Sequence, residues 1–503
     1  MKILLTNPVT RIALSDNRER YYVKAGSRWP WSYTKNVTDK CVPPFPFYLA
    51  YAAQILVERK FDVFVLDGVA LNLSNEAYFK KVVALNPDLM VIETAMHAFR
   101  YDVDLAQKLK SMMPKTKIIM VGPTVTADSP QSSSNMLEDY AWIDLLIRGE
   151  YEFVLAEVVQ RIQDGVNDLQ IDGVVYRRSN NEIWASTVKG MISDINTLPH
   201  PAFELFPENE QPDINCYGDG IITYQPGVTL HSTRGCPFKC DFCYWNQVMY
   251  DQGKYRMFEP KRVVDEMEYV INKFGAREIY FDDDDFCVNN KHVLGICEEI
   301  KKRNLKIKWS CMGDAMASNE EMIKAMAEAG CIFMKFGVES GNIDVLKKIG
   351  KPLKPEKAIE ISKLCRKYGI MTHATFVFGL YGDTEATMRD TLKLANQIKF
   401  DYAQASIATP FPGTRMYDKL VKEGAIEKID INKFDGTQSC AFSTNKLSAE
   451  KVERFRKKAI RSMIFHKVMD LGWWRNYLKR NIILWQEHGL KAVLEPYKAL
   501  LRL

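Results

Sequence analysis

Residues 229–243 read Thr-Leu-His-Ser-Thr-Arg-Gly-Cys-Pro-Phe-Lys-Cys-Asp-Phe-Cys, an apolar start that runs into three closely spaced cysteines. Cys236, Cys240 and Cys243 follow one another at steps of four and three residues, gaps that span only ~10–14 Å when extended. Their thiolates can therefore all point into one loop. Cysteine thiolates are the usual ligands of a four-iron cluster, which normally takes four of them. A loop with three leaves one iron open to a substrate or cofactor.

A structural zinc site is the alternative interpretation of these cysteines. Such sites are generally closed by a fourth ligand at characteristic spacing. His231 lies on the strand before the loop, and no second cysteine pair follows at a finger-like distance. The other eight of the eleven cysteines show no comparable spacing, so we expect them to be small buried side chains. The pattern favours one iron–sulfur cluster.

The region around this loop alternates strand-like and helical segments. Helical patterns include residues 263–273, 320–329 and 354–368, and beyond residue 447 the pattern is helical to the end. The strand-like runs are residues 229–232, 278–281, 307–310, 333–338, 372–377 and 402–408. Six such units predict a partial parallel (βα)6 barrel with right-handed crossovers and a helical C-terminal region.

The first ~150 residues form a separate alternating series. After residues 2–5 we expect a long loop up to Pro46, then strands at residues 62–66, 88–93, 117–122 and 142–148, with a hairpin over 171–188. Apolar strands separated by helices predict a doubly wound, Rossmann-like parallel sheet. Its ligands would lie beyond the carboxyl ends of the strands. Those ends carry Asn7, Asp67, Glu93, Gly122 and Thr124.

The cysteine loop, with Phe242 just before the last cysteine, resembles the signature of the radical S-adenosylmethionine (radical SAM) superfamily. Further blocks resemble that family in matching order. They begin at Arg256 (Arg-Met-Phe-Glu-Pro), Tyr280 (Tyr-Phe-Asp-Asp-Asp-Asp-Phe), Gly337 (Gly-Val-Glu-Ser-Gly), Gly379 (Gly-Leu-Tyr-Gly-Asp-Thr-Glu) and Thr409 (Thr-Pro-Phe-Pro-Gly-Thr).

This resemblance implies a [4Fe–4S] cluster whose unique iron binds S-adenosylmethionine, and cleavage of that cofactor to a 5′-deoxyadenosyl radical. It also implies helper residues. Glu339 and Ser340 would hydrogen-bond the ribose or ammonium, although capping of the turn before Gly341 is the alternative role for both. One of the acids at 282–285, for which we choose Asp283, would bind ligand, while the others cap turns or are solvated. Gly379 and Gly382 would allow a tight turn near the ligand.

The order of the two series resembles the subfamily that carries a cobalamin-binding domain ahead of the radical barrel. Blocks at residues 41–50, 144–152 and 198–202 are similar to that subfamily. Glu93, Gly122 and Thr124 would then contact the cobalamin. The chain departs from the pattern because it has no Asp-x-His-x-x-Gly element. His97 is the one histidine near a strand end, and we interpret it as a solvated or capping residue.

The predicted domains are residues 1–190 (cobalamin type), 191–222 (linker), 223–445 (barrel) and 446–503 (helical). The absence of a secretion signal and of a long apolar run predicts a cytoplasmic protein. Residues 445–503 carry 14 Lys or Arg and five Asp or Glu, and Trp473, Trp474, Tyr477 and Trp485 lie among them. Two interpretations remain open: a helix at a membrane surface, or a helix covering the open side of the barrel. The expected partners are a small-molecule substrate and an electron donor of flavodoxin or ferredoxin type, and no nucleic acid.

We predict a cobalamin-dependent radical SAM enzyme that methylates an unactivated carbon of a small molecule, or of a lipid- or tetrapyrrole-like one. The first alternative is a non-methylating cyclase or oxidoreductase of the same subfamily, which product mass would distinguish. The second is a non-catalytic iron–sulfur redox protein, which would not cleave S-adenosylmethionine. No motif in the sequence identifies the substrate.

Overall fold

The computed structural model describes residues 1–14, 17–23, 31–36, 42–127, 129–218, 222–426, 434, 439–470, 472–474, 476–478, 480–486 and 489. It divides into two compact units. Unit 1 comprises residues 1–218, 244–251 and 412–414, and unit 2 comprises residues 219–243, 252–411 and 415–503. The domain boundaries predicted from composition stay a prediction.

Unit 1 is built on a seven-stranded sheet and a smaller three-stranded one. Its strands are β1 (Lys2–Asn7), β2 (Arg11–Ala13), β3 (Arg18–Val23), β4 (Trp31–Asn36), β5 (Asp62–Asp67), β6 (Leu89–Glu93), β7 (Lys117–Val121), β8 (Leu145–Ile147), β9 (Val174–Arg177) and β10 (Ile183–Ala185). Its helices are α1 (Phe47–Glu58), α2 (Asn75–Leu85), α3 (Phe99–Met112), α4 (Pro123–Thr126), α5 (Pro130–Asp139), α6 (Glu152–Gln163) and α7 (Tyr244–Val248).

The order of the large sheet is β10-β9-β8-β7-β6-β1-β5. Strands β5, β1, β6, β7 and β8 are parallel, and β9 and β10 add an antiparallel hairpin as predicted. The chain leaves β1 toward β5 on one side and returns to β6 on the other, which is the order of flavodoxin-like sheets. The ligand crevice of such a sheet lies between β1 and β6, beyond their carboxyl ends.

The burial pattern explains why this sheet forms. All five residues of β6 are buried, as expected for a central parallel strand covered on both faces. The prediction of one long loop between β1 and Pro46 is wrong, because β2, β3 and β4 form an antiparallel sheet there. Tyr21 and Tyr22 on β3 are buried, so their rings fill space within unit 1.

Unit 2 carries a six-stranded parallel sheet and a two-stranded ribbon. Its strands are β11 (Gly227–Leu230), β12 (Thr233–Gly235), β13 (Tyr255–Met257), β14 (Glu278–Phe281), β15 (Lys308–Gly313), β16 (Cys331–Glu339), β17 (Met371–Phe378) and β18 (Tyr402–Ile407). Its helices are α8 (Pro260–Phe274), α9 (Asn290–Lys302), α10 (Glu320–Glu328), α11 (Ile343–Lys348), α12 (Pro355–Lys367), α13 (Glu385–Gln397), α14 (Arg415–Lys422) and α15 (Ala449–Val468).

The six strands lie in the order β11-β14-β15-β16-β17-β18, the order in which the chain supplies them. This arrangement confirms the predicted partial barrel of βα units. Helix α8 shows how local sequence sets the boundaries: Pro260 occupies its first turn and Gly275, with φ +67°, ends it in the left-handed region. Because the six strands are parallel, all of them point their carboxyl ends toward one edge, where β16 ends at Glu339 and Asp314 directly follows β15.

Candidate functional site

The three-cysteine loop follows β12 in unit 2 and precedes β13, the other strand of the two-stranded ribbon. Gly235 ends β12 with φ +87°, and a Cβ there would lie 2.2 Å from the carbonyl oxygen of Lys254, so only glycine fits. The backbone N–H of Gly235 donates to Asp284 at 2.9 Å. The loop thus leaves the barrel edge at a fixed angle before Cys236.

The thiols of this loop form no disulfide bond within the described residues. Cys240 is buried, and Cys236 and Cys243 are half-buried. Burial raises the pKa of Cys240 to about 12 and that of Cys236 well above its usual range, so both stay protonated until a metal displaces the proton. Within the described ranges, no three His, Cys, Asp or Glu side chains converge on a single ion. A multi-iron cluster does not require such convergence, because each cysteine binds a different iron.

A segment after α11 packs against the cysteine loop. The carbonyl of Ile349 accepts from the backbone N–H of Asp241 at 2.8 Å, and Gly350, with φ +70°, has no room for a Cβ because the Lys239 carbonyl would lie 2.4 Å away. This contact fixes the next residue, Lys351, beside Cys240.

Lys351 is a buried cation that sequence reasoning missed. Its Nζ lies 3.1 Å from Oδ2 of Asp314, with side-chain exposures of 10% and 4%. Burial opposes the charge, but Asp314, Cys240 and Glu339 together raise the pKa of Lys351 well above its usual range. The positive charge of Lys351 in turn lowers the pKa of Cys240. Only the turn at Gly350 hinted at this position, and a glycine before a lysine is not a recognisable motif.

Glu339 ends β16 in a strained conformation. Its φ is +63°, unusual for a non-glycine residue, and the ladder to β17 shifts register between Gly337 and Glu339. The carboxylate folds back over Gly337, where a Cβ would lie 2.0 Å from Oε1. Burial raises the pKa of Glu339 to about 7, although the nearby charge of Lys351 acts to lower it. Strain at a strand end is typical of functional sites.

The other predicted helpers lie around the same edge and have structural partners. The hydroxyl of Ser340 accepts from the backbone N–H of Asn342 at 3.2 Å and lies 3.2 Å from that of Thr391, which fits the capping alternative. Gly379 (φ +76°) would place a Cβ 2.9 Å from Val452 of α15. Phe242 is half-buried in the loop. Their ligand contacts stay predictions.

Asp283 connects the ends of two strands. Its carboxylate accepts from the backbone N–H of Ser232 at 2.7 Å, from the Ser232 hydroxyl at 2.7 Å and from the backbone N–H of Thr233 at 2.8 Å. The neighbouring Asp285 is 3% exposed and accepts from the backbone N–H of Cys287 at 3.1 Å, which fits the turn-capping role expected for the other acids. Asp283 therefore stabilises the approach to the cysteine loop, and its contact with a cofactor stays a prediction.

In unit 1, the strand ends at the crevice bond largely to one another. Asp67 accepts from Asn7 Nδ2 at 3.1 Å, from Tyr217 Oη at 3.0 Å and from two backbone N–H groups of the following turn. The Asp102 carboxylate accepts from the hydroxyl of Thr94 at 2.7 Å. This network fixes the crevice wall without an external partner.

The residues predicted to contact cobalamin lie at the ends of β6 and β7. Glu93 accepts from Tyr151 Oη at 2.7 Å. Gly122, with φ +103°, is required because a Cβ would lie 2.7 Å from the carbonyl oxygen of Thr94. The Oγ1 of Thr124 is buried and has no hydrogen-bond partner in the part of the chain that the structure describes. A cavity of about 450 Å³ opens nearby, lined among others by Thr126.

His97 is not solvated, and its role as a capping residue stays a prediction. It is 1% exposed, just before α3, and its ring centroid lies 5.2 Å from that of Tyr22. The sheet β2–β4, which the sequence did not predict, brings Tyr22 over it.

Comparison with known proteins defines the class of this site. Residues 230–395 match the model of the Radical SAM superfamily. This part of the chain, which contains Cys236, Cys240 and Cys243, is therefore a radical SAM domain, as predicted. Such a domain uses a [4Fe–4S] cluster and S-adenosylmethionine.

Relatives and solved structures extend the similarity beyond that domain. An uncharacterized methyltransferase of Pyrococcus horikoshii is 28% identical over 460 residues, 91% of each chain. The anaerobic magnesium-protoporphyrin IX monomethyl ester cyclase of Rubrivivax gelatinosus is 25% identical over 78% of this chain and 68% of its own. The radical SAM methyltransferase TsrM of Kitasatospora setae, solved with cobalamin and a [4Fe–4S] cluster, has a TM-score of 0.65 at 16% identity, covering 92% of this chain and 88% of that one. The predicted fold class is confirmed.

The C-terminal region covers part of the barrel. The Arg480 guanidinium lies 4.5 Å from the ring centroid of Tyr402 and 5.5 Å from that of Phe333. Among the helices that the structure describes, none is long and apolar enough to cross a bilayer.

Proposed function

We propose that this chain is a cobalamin-dependent radical SAM methyltransferase acting on an unactivated carbon. The observation that carries the proposal is the placement of Glu339 and Lys351 beside the three-cysteine loop at the carboxyl edge of a parallel barrel. This is where barrels place their catalytic groups. Full-length similarity to proteins named as methyltransferases supports the choice of reaction.

The residues of unit 2 fit a cluster and S-adenosylmethionine. Cys236, Cys240 and Cys243 would hold three irons. Lys351 is the cation available to the carboxylate of S-adenosylmethionine, and Asp314 keeps it charged and oriented. Glu339, with its strained backbone, would accept from the ribose hydroxyls or the ammonium. When bound, the cluster and S-adenosylmethionine supply the radical that removes a hydrogen atom from the substrate.

The residues of unit 1 fit a cobalamin at the β1–β6 crevice. The buried Oγ1 of Thr124 needs a partner, which a polar group of the cobalamin would supply. Gly122 keeps the ends of β6 and β7 close together, and Glu93 holds Tyr151 at the same edge. When bound, the cobalamin carries the methyl group. Contacts of Phe242, Ser340, Asp283 and Gly379 with S-adenosylmethionine belong to the same proposal.

A cyclase or oxidoreductase reaction is the second candidate, favoured by the similarity to the cyclase of Rubrivivax gelatinosus. It would use the same cluster and the same radical, and its product would lose hydrogen atoms rather than gain a methyl group. A non-catalytic iron–sulfur protein would not need Lys351 and Glu339 beside the cluster loop.

The remaining proposals concern partners and location. The reaction needs an external electron, for which we propose a flavodoxin or ferredoxin in the cytoplasm, where thiols stay reduced. Contact with a membrane surface is supported by exposed apolar residues in and after α15, including Met469 (69%), Ile482 (53%) and Trp485 (60%).

The test uses protein expressed with hydroxocobalamin, purified without air and with its cluster rebuilt. We expect a corrin spectrum and, after addition of dithionite and S-adenosylmethionine, release of 5′-deoxyadenosine. Cys240→Ala should abolish this release while the corrin spectrum persists, because the two cofactors use different units. Cys216→Ala, in unit 1, is the control and should behave as the unmodified protein. Iron without corrin would overturn the methyl-transfer proposal, and a reducible cluster that never cleaves S-adenosylmethionine would overturn the enzyme proposal.

A further inference from the structure

The side chains on the inner face of β17, in the six-stranded sheet, are only partly buried. Along β17, half-buried Met371, His373, Thr375 and Val377 alternate with fully buried neighbours. Phe378, from the buried set, packs on Phe455 of α15 at 5.4 Å between ring centroids. The buried set therefore faces the helices, and the half-buried set faces the interior of the barrel.

Two nitrogen-bearing side chains meet on this inner face. Lys335 of β16 and His373 of β17 are register partners in adjacent parallel strands, so their side chains leave the sheet on the same side. Glu339, four residues further along β16, lies over Gly337 and thus on that side too. Below them the interior is closed by Tyr402, Phe333 and the guanidinium of Arg480. Lys335 and His373 therefore lie between this floor and the carboxyl edge.

Neither side chain is neutralised within the described part of the chain. Lys335 makes no hydrogen bond or ion pair there, and Nε2 of His373 is inaccessible and has no partner. Burial is the main cause that lowers the pKa of His373 to about 3, and the charges of Lys335 and Arg480 contribute to the same shift. The acids whose pKa values respond to these cations are Glu339, at the level of the strand ends, and Glu278, near Arg480. The middle of the interior is therefore a half-buried, positively charged zone.

Lys335 is half-buried, and Nε2 of His373 is buried. A ligand stabilises such groups when it supplies the charge and the hydrogen-bond acceptor that the described residues do not. A ligand that carries negative charge and accepts hydrogen bonds would satisfy both at once. Oxyanions have this chemistry, and a carboxylate or a phosphate can accept from an ammonium and from an imidazole N–H together. Neutral apolar substrates would leave both groups desolvated and unpaired.

We infer that Lys335 and His373 form a binding site for an oxyanion of the substrate. This inference rests on the proposed function, because it takes the barrel interior as the substrate cavity. Strand rise places Lys335 roughly 13 Å below Glu339 along β16. A substrate anchored by its oxyanion at Lys335 would extend toward the carboxyl edge, where its reacting carbon would lie near S-adenosylmethionine. The pair therefore selects an anionic small molecule and sets which carbon is presented.

The test measures binding of two probes to the anaerobic holoenzyme: [1-13C]propanoate for a carboxylate and methylphosphonate for a phosphorus oxyanion. Dissociation constants come from 13C and 31P line broadening. We expect at least one probe to bind, and Lys335→Met to weaken it at least tenfold, while Lys335→Arg keeps it within about threefold. His373→Leu should weaken it by a smaller factor, since it removes a neutral donor. The probe that binds more tightly identifies the oxyanion.

Lys308→Met is the matched control, because Lys308 is exposed at the beginning of β15 in the same sheet. It should bind the probes as the unmodified protein does. Circular dichroism and the cluster absorbance establish that each variant is folded. Equal probe affinity in Lys335→Met and the unmodified protein, or no probe binding at all, overturns the oxyanion site. Because binding does not require cleavage of S-adenosylmethionine, loss of that cleavage would overturn the proposed function separately.

Discussion

The two units treat the carboxyl edges of their parallel sheets differently. In unit 1, polar groups at the strand ends are occupied by their neighbours: Asp67 bonds to Asn7 and Tyr217, and Thr94 bonds to Asp102 of α3. In unit 2, Glu339 is strained and Lys351 lies beside the cysteine loop. Unit 1 thus presents a ligand with a crevice and a few polar atoms, whereas unit 2 presents it with charged side chains.

This difference follows from strand order. The order β5-β1-β6 reverses direction beside β1 and leaves a crevice, so a large ligand can enter between two loops. The sequential order β11 to β18 leaves no such reversal and curves the sheet, so strand ends surround a common interior. A flat crevice suits a cofactor held by many weak contacts, and a curved edge suits a small charged one.

The largest effect is expected at Lys351, where the comparison predicts that one charge controls cofactor binding in unit 2. Lys351→Met should weaken binding of S-adenosylmethionine at least tenfold, because a charge-assisted hydrogen bond contributes about 1.5–3 kcal/mol. Lys351→Arg should restore most of it. Equilibrium dialysis measures the affinity, and Lys347→Met, exposed on α11, is the control. Unchanged affinity in Lys351→Met would remove the main contrast between the units.

The second prediction concerns stability at the edge of unit 2. Asp283→Ala leaves three buried donors of Ser232 and Thr233 without an acceptor, so the free energy of unfolding should fall by about 3 kcal/mol. Urea denaturation measures it. Glu298→Ala, exposed on α9, should change it by less than about 0.5 kcal/mol. A stable Asp283→Ala variant that binds S-adenosylmethionine poorly would instead support the cofactor contact.

The third prediction uses pH to probe the occupied edge of unit 1. Burial raises the pKa of Asp67 from 3.8 to about 6 although its hydrogen bonds oppose the shift. The folded state therefore binds the proton more tightly than the unfolded state, and the corresponding stability is lost as pH rises from about 4 to about 6. Relative to Asp67→Asn, the unmodified protein should lose about 2 kcal/mol across that window and nothing further above it.

Urea denaturation at several pH values measures this difference. Asp62→Asn, exposed at the beginning of the same strand, should show no comparable change relative to the unmodified protein. A difference between Asp67→Asn and the unmodified protein that stays constant from pH 4 to 7 would contradict the prediction.

The smallest effect is expected at Thr124. Thr124→Val removes a buried hydroxyl without a partner, so stability without cobalamin should stay the same or rise by up to about 1 kcal/mol, while cobalamin affinity falls a few-fold. Thr116→Val is the contrasting variant, because its hydroxyl donates to Pro87 at 2.7 Å at the opposite edge of the sheet. It should lose stability and keep its cobalamin affinity. The reverse pattern would place the ligand elsewhere in unit 1.

Much of the architecture could be predicted from local pattern. Apolar runs gave β1, β5, β6 and β7, turn residues gave the β9–β10 hairpin, and cysteine spacing gave the metal loop. The segment before Pro46 was misjudged, because β2–β4 are short and mixed in polarity, so no apolar run marks them. Lys351 was missed because it comes twelve residues after Glu339 in the sequence, with helix α11 between them. The ligand contacts of the predicted helper residues stay predictions.

The sequence by itself determined which apolar segments become strands of the two large sheets, where the three cysteines lie and that they share one loop. These properties depend on periodicity and on short chain distances. Only the tertiary structure decided the strand orders, the burial of His97 under Tyr22, the contact of Gly350 with the cysteine loop and the pairing of Lys335 with His373. Each of these brings together residues far apart in the chain, and their register is set by the packing of whole strands and helices, which local pattern does not encode.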